Sequence, residues 1–353
     1  MKKLAAAYAQ NVYRARFTDS PWFEPMIATL YATPMCNLSC SYCDDFGAHR
    51  NAGFRGQELE TERMKKIVDL LAEVADVLYI TGGEPTLRSD LAEVLQHARD
   101  RGIFYIAMNT NGLLLRDRTE VIDLLDNLVI SLDMLDGERY DPILGSTPGT
   151  TAELLEIVRW AAAEQSKRKF TLTLNCVVMP GQVEEARRVR DFSWEIGAQF
   201  SCQPQSINRT AAPELAHDPI FHKLVDEIIE GKRAGKPVSG SLPFLRRTRE
   251  LVPYSCTPTA APHVDWRGRL AYPCRELPNH IWVDLLEAGS YAAALREAER
   301  RWGAPPSNCS QCGERCYVEL STLVRHPTEL AKEAYGYLRQ MAKVRLPVWG
   351  QPQ

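Results

Sequence analysis

Strand-like and helix-like stretches alternate from residue 26 to about residue 205 of this 353-residue chain. That alternation restricts the fold more than any other feature. Extended apolar or alternating runs fall at 26–33, 77–81, 104–110, 128–133, 170–178 and 198–205, with amphipathic stretches at 61–75, 90–101, 119–125, 151–164 and 183–196 between them. Strands separated by helices build a parallel sheet with right-handed crossovers. Six such units predict an α/β fold, a (β/α)6 partial TIM barrel. Hydrophobic content of 45% supports a core of that size.

Successive strand residues point to opposite faces. In the fifth run Phe170, Leu172, Leu174, Cys176 and Val178 share one face, and Thr171, Thr173, Asn175 and Val177 the other. In the sixth, Ala198, Phe200, Cys202 and Pro204 oppose Gln199, Ser201, Gln203 and Gln205. The apolar faces are expected to meet the helices. The lumen is then lined by hydroxyls and amides, unlike the branched apolar filling of closed eight-stranded barrels, and suits a polar ligand. The same parity makes Cys176 and Cys202 buried, helix-facing thiols that act as small hydrophobes.

The first strand runs into Cys36-Asn37-Leu38-Ser39-Cys40-Ser41-Tyr42-Cys43, three thiols within eight residues. Thiolate cups of this kind select zinc or iron–sulfur clusters. Three ligands leave a coordination position open, which marks a reactive centre rather than a structural one. After the second strand comes Gly82-Gly83-Glu84-Pro85. Both motifs therefore lie at strand ends, where chemistry gathers in such folds.

These two motifs resemble those of the radical S-adenosylmethionine (SAM) superfamily, over roughly residues 26–205. The resemblance implies that Cys36, Cys40 and Cys43 hold a 4Fe-4S cluster whose open iron binds SAM. It implies that Gly82, Gly83 and Glu84 receive the methionine amino group, with Glu84 pairing to the ammonium, and that Tyr42 sits beside the adenine. Ser131 and Asp133 match the family's fourth strand, which reaches the ribose and methionine carboxylate. Asn175 matches an asparagine near the ribose, and Gln203 is a weaker candidate. The plainer alternatives are a turn at Gly82-Gly83, helix capping by Ser131 and Asp133, and a satisfied lumen amide at Asn175. The implied chemistry is reductive cleavage of SAM to a 5′-deoxyadenosyl radical that abstracts hydrogen from an unactivated C–H.

Beyond residue 245 a separate cysteine-rich pattern begins. Cys256 and Cys274 flank a segment that reads as a β-hairpin turning at Arg267-Gly268, and Cys309, Cys312 and Cys316 follow. The spacing alone fits a structural zinc site or an iron–sulfur cluster equally. It resembles the twitch and SPASM modules of radical SAM enzymes, a small α+β domain holding an auxiliary 4Fe-4S cluster. Five cysteines suffice for one such cluster, with Cys316 spare or a substitute ligand and His263 and His280 as replacement donors. The expected organisation is a helical extension over 1–25, the barrel over 26–245, and a twitch/SPASM-like domain with a C-terminal helix over 246–353. Residues 217–234 read as a helix and 237–243 as a linker.

Ten cysteines grouped in this way point to metal in a reducing compartment rather than disulfides. No run of eighteen apolar residues occurs, and a formal charge of −3 gives no reason to expect nucleic-acid binding. The start reads as a short amphipathic helix rather than a signal peptide, because its apolar stretch ends at Ala9. The expectation is a cytoplasmic enzyme, with peripheral membrane contact through that helix as a lesser alternative. Its partners would be a small-molecule substrate and an electron donor such as flavodoxin or ferredoxin. Thirty-five residues precede Cys36 and do not resemble a peptide-recognition domain, so a ribosomal peptide ranks second. A lipid suggested by Pro21-Trp22-Phe23 ranks third. The reading of another class is a non-catalytic iron–sulfur redox sensor.

Overall fold

The computed structural model describes residues 2–43, 52–207, 210–251, 253–306, 309, 312–329 and 331–332. The expected C-terminal helix falls largely outside them. Six parallel strands form the barrel wall: β1 (Ala28–Tyr31), β2 (Val77–Thr81), β3 (Tyr105–Thr110), β4 (Asn127–Ser131), β5 (Thr171–Val178) and β6 (Gln199–Pro204). They lie in sequence order, and the sheet ends at β6 without closing.

α1 (Lys2–Phe17) precedes the wall, and α2 (Thr61–Ala72), α3 (Leu91–Asp100), α4 (Thr119–Ile122), α5 (Gly137–Leu144), α6 (Thr150–Arg168) and α7 (Val183–Glu195) follow its strands. α2 buries Met64, Ile67, Val68 and Leu71, the i, i+3, i+4, i+7 stripe of a helix lying on a sheet. On the helix-facing side of the strands Leu30, Leu78, Ile80, Ile106, Met108, Leu128, Ile130, Leu172, Leu174 and Phe200 are all fully buried. Each such side chain stabilises the fold by about 1.5–3 kcal/mol. Cys176 and Cys202 belong to this same core, paired across β5 and β6.

The expected strands and helices of the barrel all appear, with ends shifted by a few residues (α6 extends beyond its expected end at 164 to Arg168), and α5 is an addition. Its signals were in the chain: Asp136 accepts a hydrogen bond from the Glu138 N–H as N-cap, and Gly145 ends the helix in the left-handed conformation. α1 is also longer than the short helix expected. It is clamped where the Asn11 amide exchanges two hydrogen bonds with the Glu24 backbone.

The organisation after β6 differs from expectation. A short ribbon, β7 (Ser206–Ile207) and β8 (Thr210–Ala211), is followed by α8 (Pro219–Arg233). The supposed linker is structural: Phe200 and Val238 form a parallel bridge, so the chain runs along the free edge of β6. It then enters α9 (Leu242–Glu250), with Ser241 as N-cap and Pro243 in the first turn. Proline there starts a helix, because the missing N–H would have no partner anyway. A cut at 245 therefore falls inside a helix.

The cysteine-rich region is not detached from the barrel either. β9 (His263–Val264) pairs parallel to β1, and β10 (Arg269–Tyr272) and β11 (Ile281–Asp284) continue the same sheet antiparallel, giving nine strands in all. The expected hairpin is β9–β10. Buried Asp265 closes its turn by accepting from the N–H groups of Arg267 and Arg269 and from the Arg269 guanidinium. α10 (Leu285–Ala288), α11 (Tyr291–Trp302) and α12 (Arg315–Leu323) complete the described chain. Among the described residues no helix is long and apolar enough to cross a membrane.

Candidate active site

The three-cysteine loop is held from two sides. On one, the N–H of Gly83 donates to the Thr33 carbonyl at 2.9 Å and that of Glu84 to the Met35 carbonyl at 2.7 Å. On the other, the N–H groups of Ser39 and Ser41 donate to the carbonyls of Leu144 and Ile143 at the end of α5. Cys36, Cys40 and Cys43 are all half-buried. Burial pushes the Cys36 thiol up to about 11 and the Cys40 thiol up to about 12, with the neighbouring sulfurs adding to the shift. Such thiols keep their protons until a metal displaces them.

This arrangement changes the reading of Gly82-Gly83-Glu84. A Cβ on Gly83 would lie 2.0 Å from the Met35 carbonyl oxygen, and one on Gly82 2.5 Å from that of Thr33. The glycines admit the backbone of the cysteine loop itself, which forms their nearest neighbours. Glu84, expected to pair with an ammonium, is fully buried and engaged by the chain. Its Oε1 accepts from the Thr86 N–H, the Thr86 hydroxyl and the Thr110 hydroxyl, and its Oε2 from the Asn111 N–H at 2.7 Å. The carboxylate ties the end of β2 to the end of β3.

Asp133, expected near the ribose and methionine carboxylate, is likewise engaged by the chain itself. It is buried, accepts from the hydroxyls of Tyr42 at 2.5 Å and Tyr140 at 3.1 Å, and accepts from the Val177 N–H at 2.8 Å. Burial raises its pKa to about 6, against the lowering effect of those donors. The Tyr42 hydroxyl is thus fixed by Asp133, which locks the cysteine loop to the end of β4. Tyr140 supplies the second hydroxyl and was not expected, because only the turn through α5 brings it back.

Three expected lumen residues do face one another. Ser131 and Asn175 are register partners on β4 and β5, and Asn175 and Ser201 on β5 and β6. The Ser131 hydroxyl meets the Asn109 amide at 3.3 Å, and the Ser201 hydroxyl donates to Asn175 Oδ1 at 2.7 Å. Thr173 joins Asn127 and Gln199 in the same way. Gln203 lies at the rim, lining a cavity of about 350 Å³ that also touches Cys312, Phe244 and Tyr254.

The C-terminal cysteines Cys256, Cys274, Cys309 and Cys312 lie close enough for their charges to interact. The Cys256 N–H donates to the Cys309 carbonyl at 2.8 Å. The Cys256 thiol is pushed up first by its hydrogen bond to Cys309, then by burial and by the charges of Cys309, Cys312 and Cys274. Cys316, expected as a spare thiol or substitute ligand, packs against His263 Nε2 at 3.5 Å. His263 stacks on Tyr317 and meets the Tyr31 hydroxyl through Nδ1, so it serves as a partner to Cys316. Burial, with Arg275 nearby, lowers its pKa to about 3. His280 meets the Leu277 carbonyl. Among the described residues no three His, Cys, Asp or Glu side chains are grouped so as to hold a metal ion. The donor set nevertheless fits the chemistry of an iron–sulfur cube, which is held by cysteine thiolates.

Residues 30–192 match the Radical SAM superfamily. The chain carries a radical SAM domain. The matched segment is a little under half of the chain, and members of that superfamily use a 4Fe-4S cluster and SAM. Among curated relatives, a "Probable GTP 3′,8-cyclase" of Methanococcus maripaludis is 31% identical over 173 residues, covering 48% of this chain and 55% of that protein. A protein of the same description from Methanosarcina mazei is 34% identical over 204 residues, covering 56% and 59%. The chain thus spans a little over half the length of the curated relatives it matches.

Two solved structures share the fold. SuiB of Streptococcus suis, bound to S-adenosylmethionine, superimposes with a TM-score of 0.56 at 17% identity, over 75% of this chain and 64% of that one. The anSMEcpe structure with bound AdoMet gives 0.52 at 16% identity, over 91% of this chain and 100% of that one.

Proposed function

We propose that this chain is a SAM-cleaving enzyme that removes hydrogen from an unactivated C–H of a small polar metabolite bound in the barrel lumen. Cys36, Cys40 and Cys43 would hold the SAM-binding cluster, and Cys256, Cys274, Cys309 and Cys312 an auxiliary one. When bound, the first cluster and SAM supply the reducing electron and the hydrogen-abstracting group. The chain's own residues set the geometry. The cysteine loop is braced by Gly83 and Glu84 on one side and α5 on the other. Tyr42 and Asp133 fix its far end, and Ser131, Asn175 and Ser201 present polar groups inside the wall.

The observation that carries this reading is the double bracing of a three-thiol loop at the open end of a polar-lined barrel. Bracing on both sides would hold a reactive centre in fixed relation to the lumen, where a redox sensor would need no polar cavity. A reductant of the flavodoxin or ferredoxin class would deliver the electron. Ribosomal-peptide and lipid substrates rank behind a metabolite, and the names of the curated relatives put GTP first among probes.

The test is anaerobic reconstitution followed by reduction with SAM present, with 5′-deoxyadenosine measured. Formation in the parent and its loss in the Cys36/Cys40/Cys43→Ala variant support the reading. No cleavage of SAM by iron-loaded parent would refute it and favour the sensor.

A further inference from the structure

The barrel wall does not close beyond β6, and the start of α12 lies across that gap, reaching both β6 and β9. Cys316 reaches β9 through His263, while Arg315, one residue earlier, reaches β6. The Arg315 guanidinium donates to the lumen hydroxyl of Ser201 through Nη1 and to the Ser239 hydroxyl through Nη2 at 2.9 Å, and lies over the Phe244 ring at 5.1 Å. Its charge is felt by Tyr79 on β2 and by Cys202 on β6. Among the described residues its partners are two hydroxyls and an aromatic face, with no carboxylate bonded to it.

A half-buried guanidinium without a counter-ion is costly unless something anionic completes it. Hydroxyls leave the charge uncompensated, and a planar fork matches the oxygens of a carboxylate or phosphate. The other lumen-side cation, Arg275, already has Glu276 at 3.2 Å. Arg315 therefore differs from Arg275 in having, among the described residues, only hydroxyls as hydrogen-bond partners; it lies beside the neutral polar groups Asn175 and Ser201, with the charge of Glu314 also felt at Tyr79.

We infer that Arg315 is the receptor for an anionic group of the substrate, a carboxylate or a phosphate, and fixes the substrate at the β6 side of the lumen. This rests on the proposed reading of the lumen as the substrate site. Sequence pattern could not show it, because Arg315 reaches β6 only once α12 crosses the gap.

The test uses the anaerobically reconstituted full chain with SAM bound, and equilibrium dialysis with radiolabelled pyrophosphate and, separately, succinate. One of the two is expected to bind saturably, and which one does so separates phosphate from carboxylate. Loss of a charge-assisted contact in Arg315→Gln should weaken that binding about tenfold or more, with Arg315→Lys intermediate. Cleavage of SAM is measured on the same variants. Intact cleavage with anion binding that is equal in parent, Arg315→Gln and Arg315→Lys, or absent from all three, overturns the inference while leaving the proposed chemistry standing. Absence of SAM cleavage from the parent would instead remove the reading beneath it. Should Arg315→Gln fail to take up iron, Arg315→Lys and Ser239→Ala decide: unchanged anion binding in both would make Arg315 a brace between α12 and β6 only.

Discussion

Replacing Gly83 by alanine should disconnect the cysteine loop from the barrel. The added Cβ would lie 2.0 Å from the Met35 carbonyl oxygen and 2.5 Å from its carbon, where real Cβ contacts essentially never fall below 3.0 Å. The obstruction is backbone, so no side-chain rotation relieves it, and the Met35 carbonyl must retreat by about 1 Å. The Glu84 N–H donates to that same oxygen from 2.7 Å, and a retreat of about 1 Å carries the pair beyond hydrogen-bonding distance. The Gly83 N–H to Thr33 bond, two residues away, shifts with it. Two poorly solvated backbone donors losing their partners cost about 1–3 kcal/mol each, so about 2–6 kcal/mol in total.

That cost is local, and so is its consequence. Cys36 follows Met35 directly, whereas Cys40 and Cys43 lie nearer the anchor on α5, so Cys36 moves relative to the other two. Metal sites tolerate ligand displacements of only about 0.2 Å. Iron and sulfide counts on anaerobically reconstituted protein should show Gly83→Ala short by about four irons, one cube. Circular dichroism should show the barrel still folded. An alanine variant with the parent's full iron content and SAM cleavage would show that the loop bends away freely and would refute the bracing argument.

Three further outcomes follow from the same contacts. Glu84→Gln keeps the three-fold acceptor at Oε1 only by turning an NH2 group toward the Asn111 N–H, so thermal unfolding should report a loss of about 1–3 kcal/mol; an unchanged melting temperature would contradict it. Asp133, whose pKa is raised to about 6, takes up a proton more readily in the folded state. Its contribution to stability therefore grows as pH falls from above 6 toward its unfolded value near 4 and is lost as pH rises through 6; Asp133→Asn should lack this component in melting curves compared across that window. Cys316→Ala should keep the parent's iron, whereas Cys274→Ala should lose about four irons. Equal losses in both would place Cys316 among the ligands.

The alternation of apolar strands and amphipathic helices was sufficient to read the barrel, because burial on two scales of periodicity is a local property of the chain. Met64, Ile67, Val68 and Leu71 declare a helix face, and Leu172, Leu174 and Cys176 a strand face, without reference to anything distant. Cysteine spacing was legible for the same reason, since ligands on one short loop are necessarily close. The roles of Glu84 and Asp133 were not. Each is a carboxylate at a strand end, and its direction depends on donors from elsewhere in the chain: Thr110 and Asn111 for one, Tyr42, Tyr140 and Val177 for the other.

The region after β6 shows the same division. Proline-rich 237–243 looks like a linker by composition, yet the free edge of β6 offers unpaired backbone groups that recruit it. β9 joins β1 across more than two hundred residues of sequence because the barrel's open edge is likewise available. By itself, then, the sequence determined the fold class, the cysteine loop and the polar lumen, all of them matters of local pattern. Only the tertiary structure decided which strand edge the cysteine-rich segment completes, which carboxylates turn inward, and that Arg315 and Cys316 meet the barrel where its wall is open. Those facts depend on which backbone edges and buried charges still lack partners once the barrel has formed.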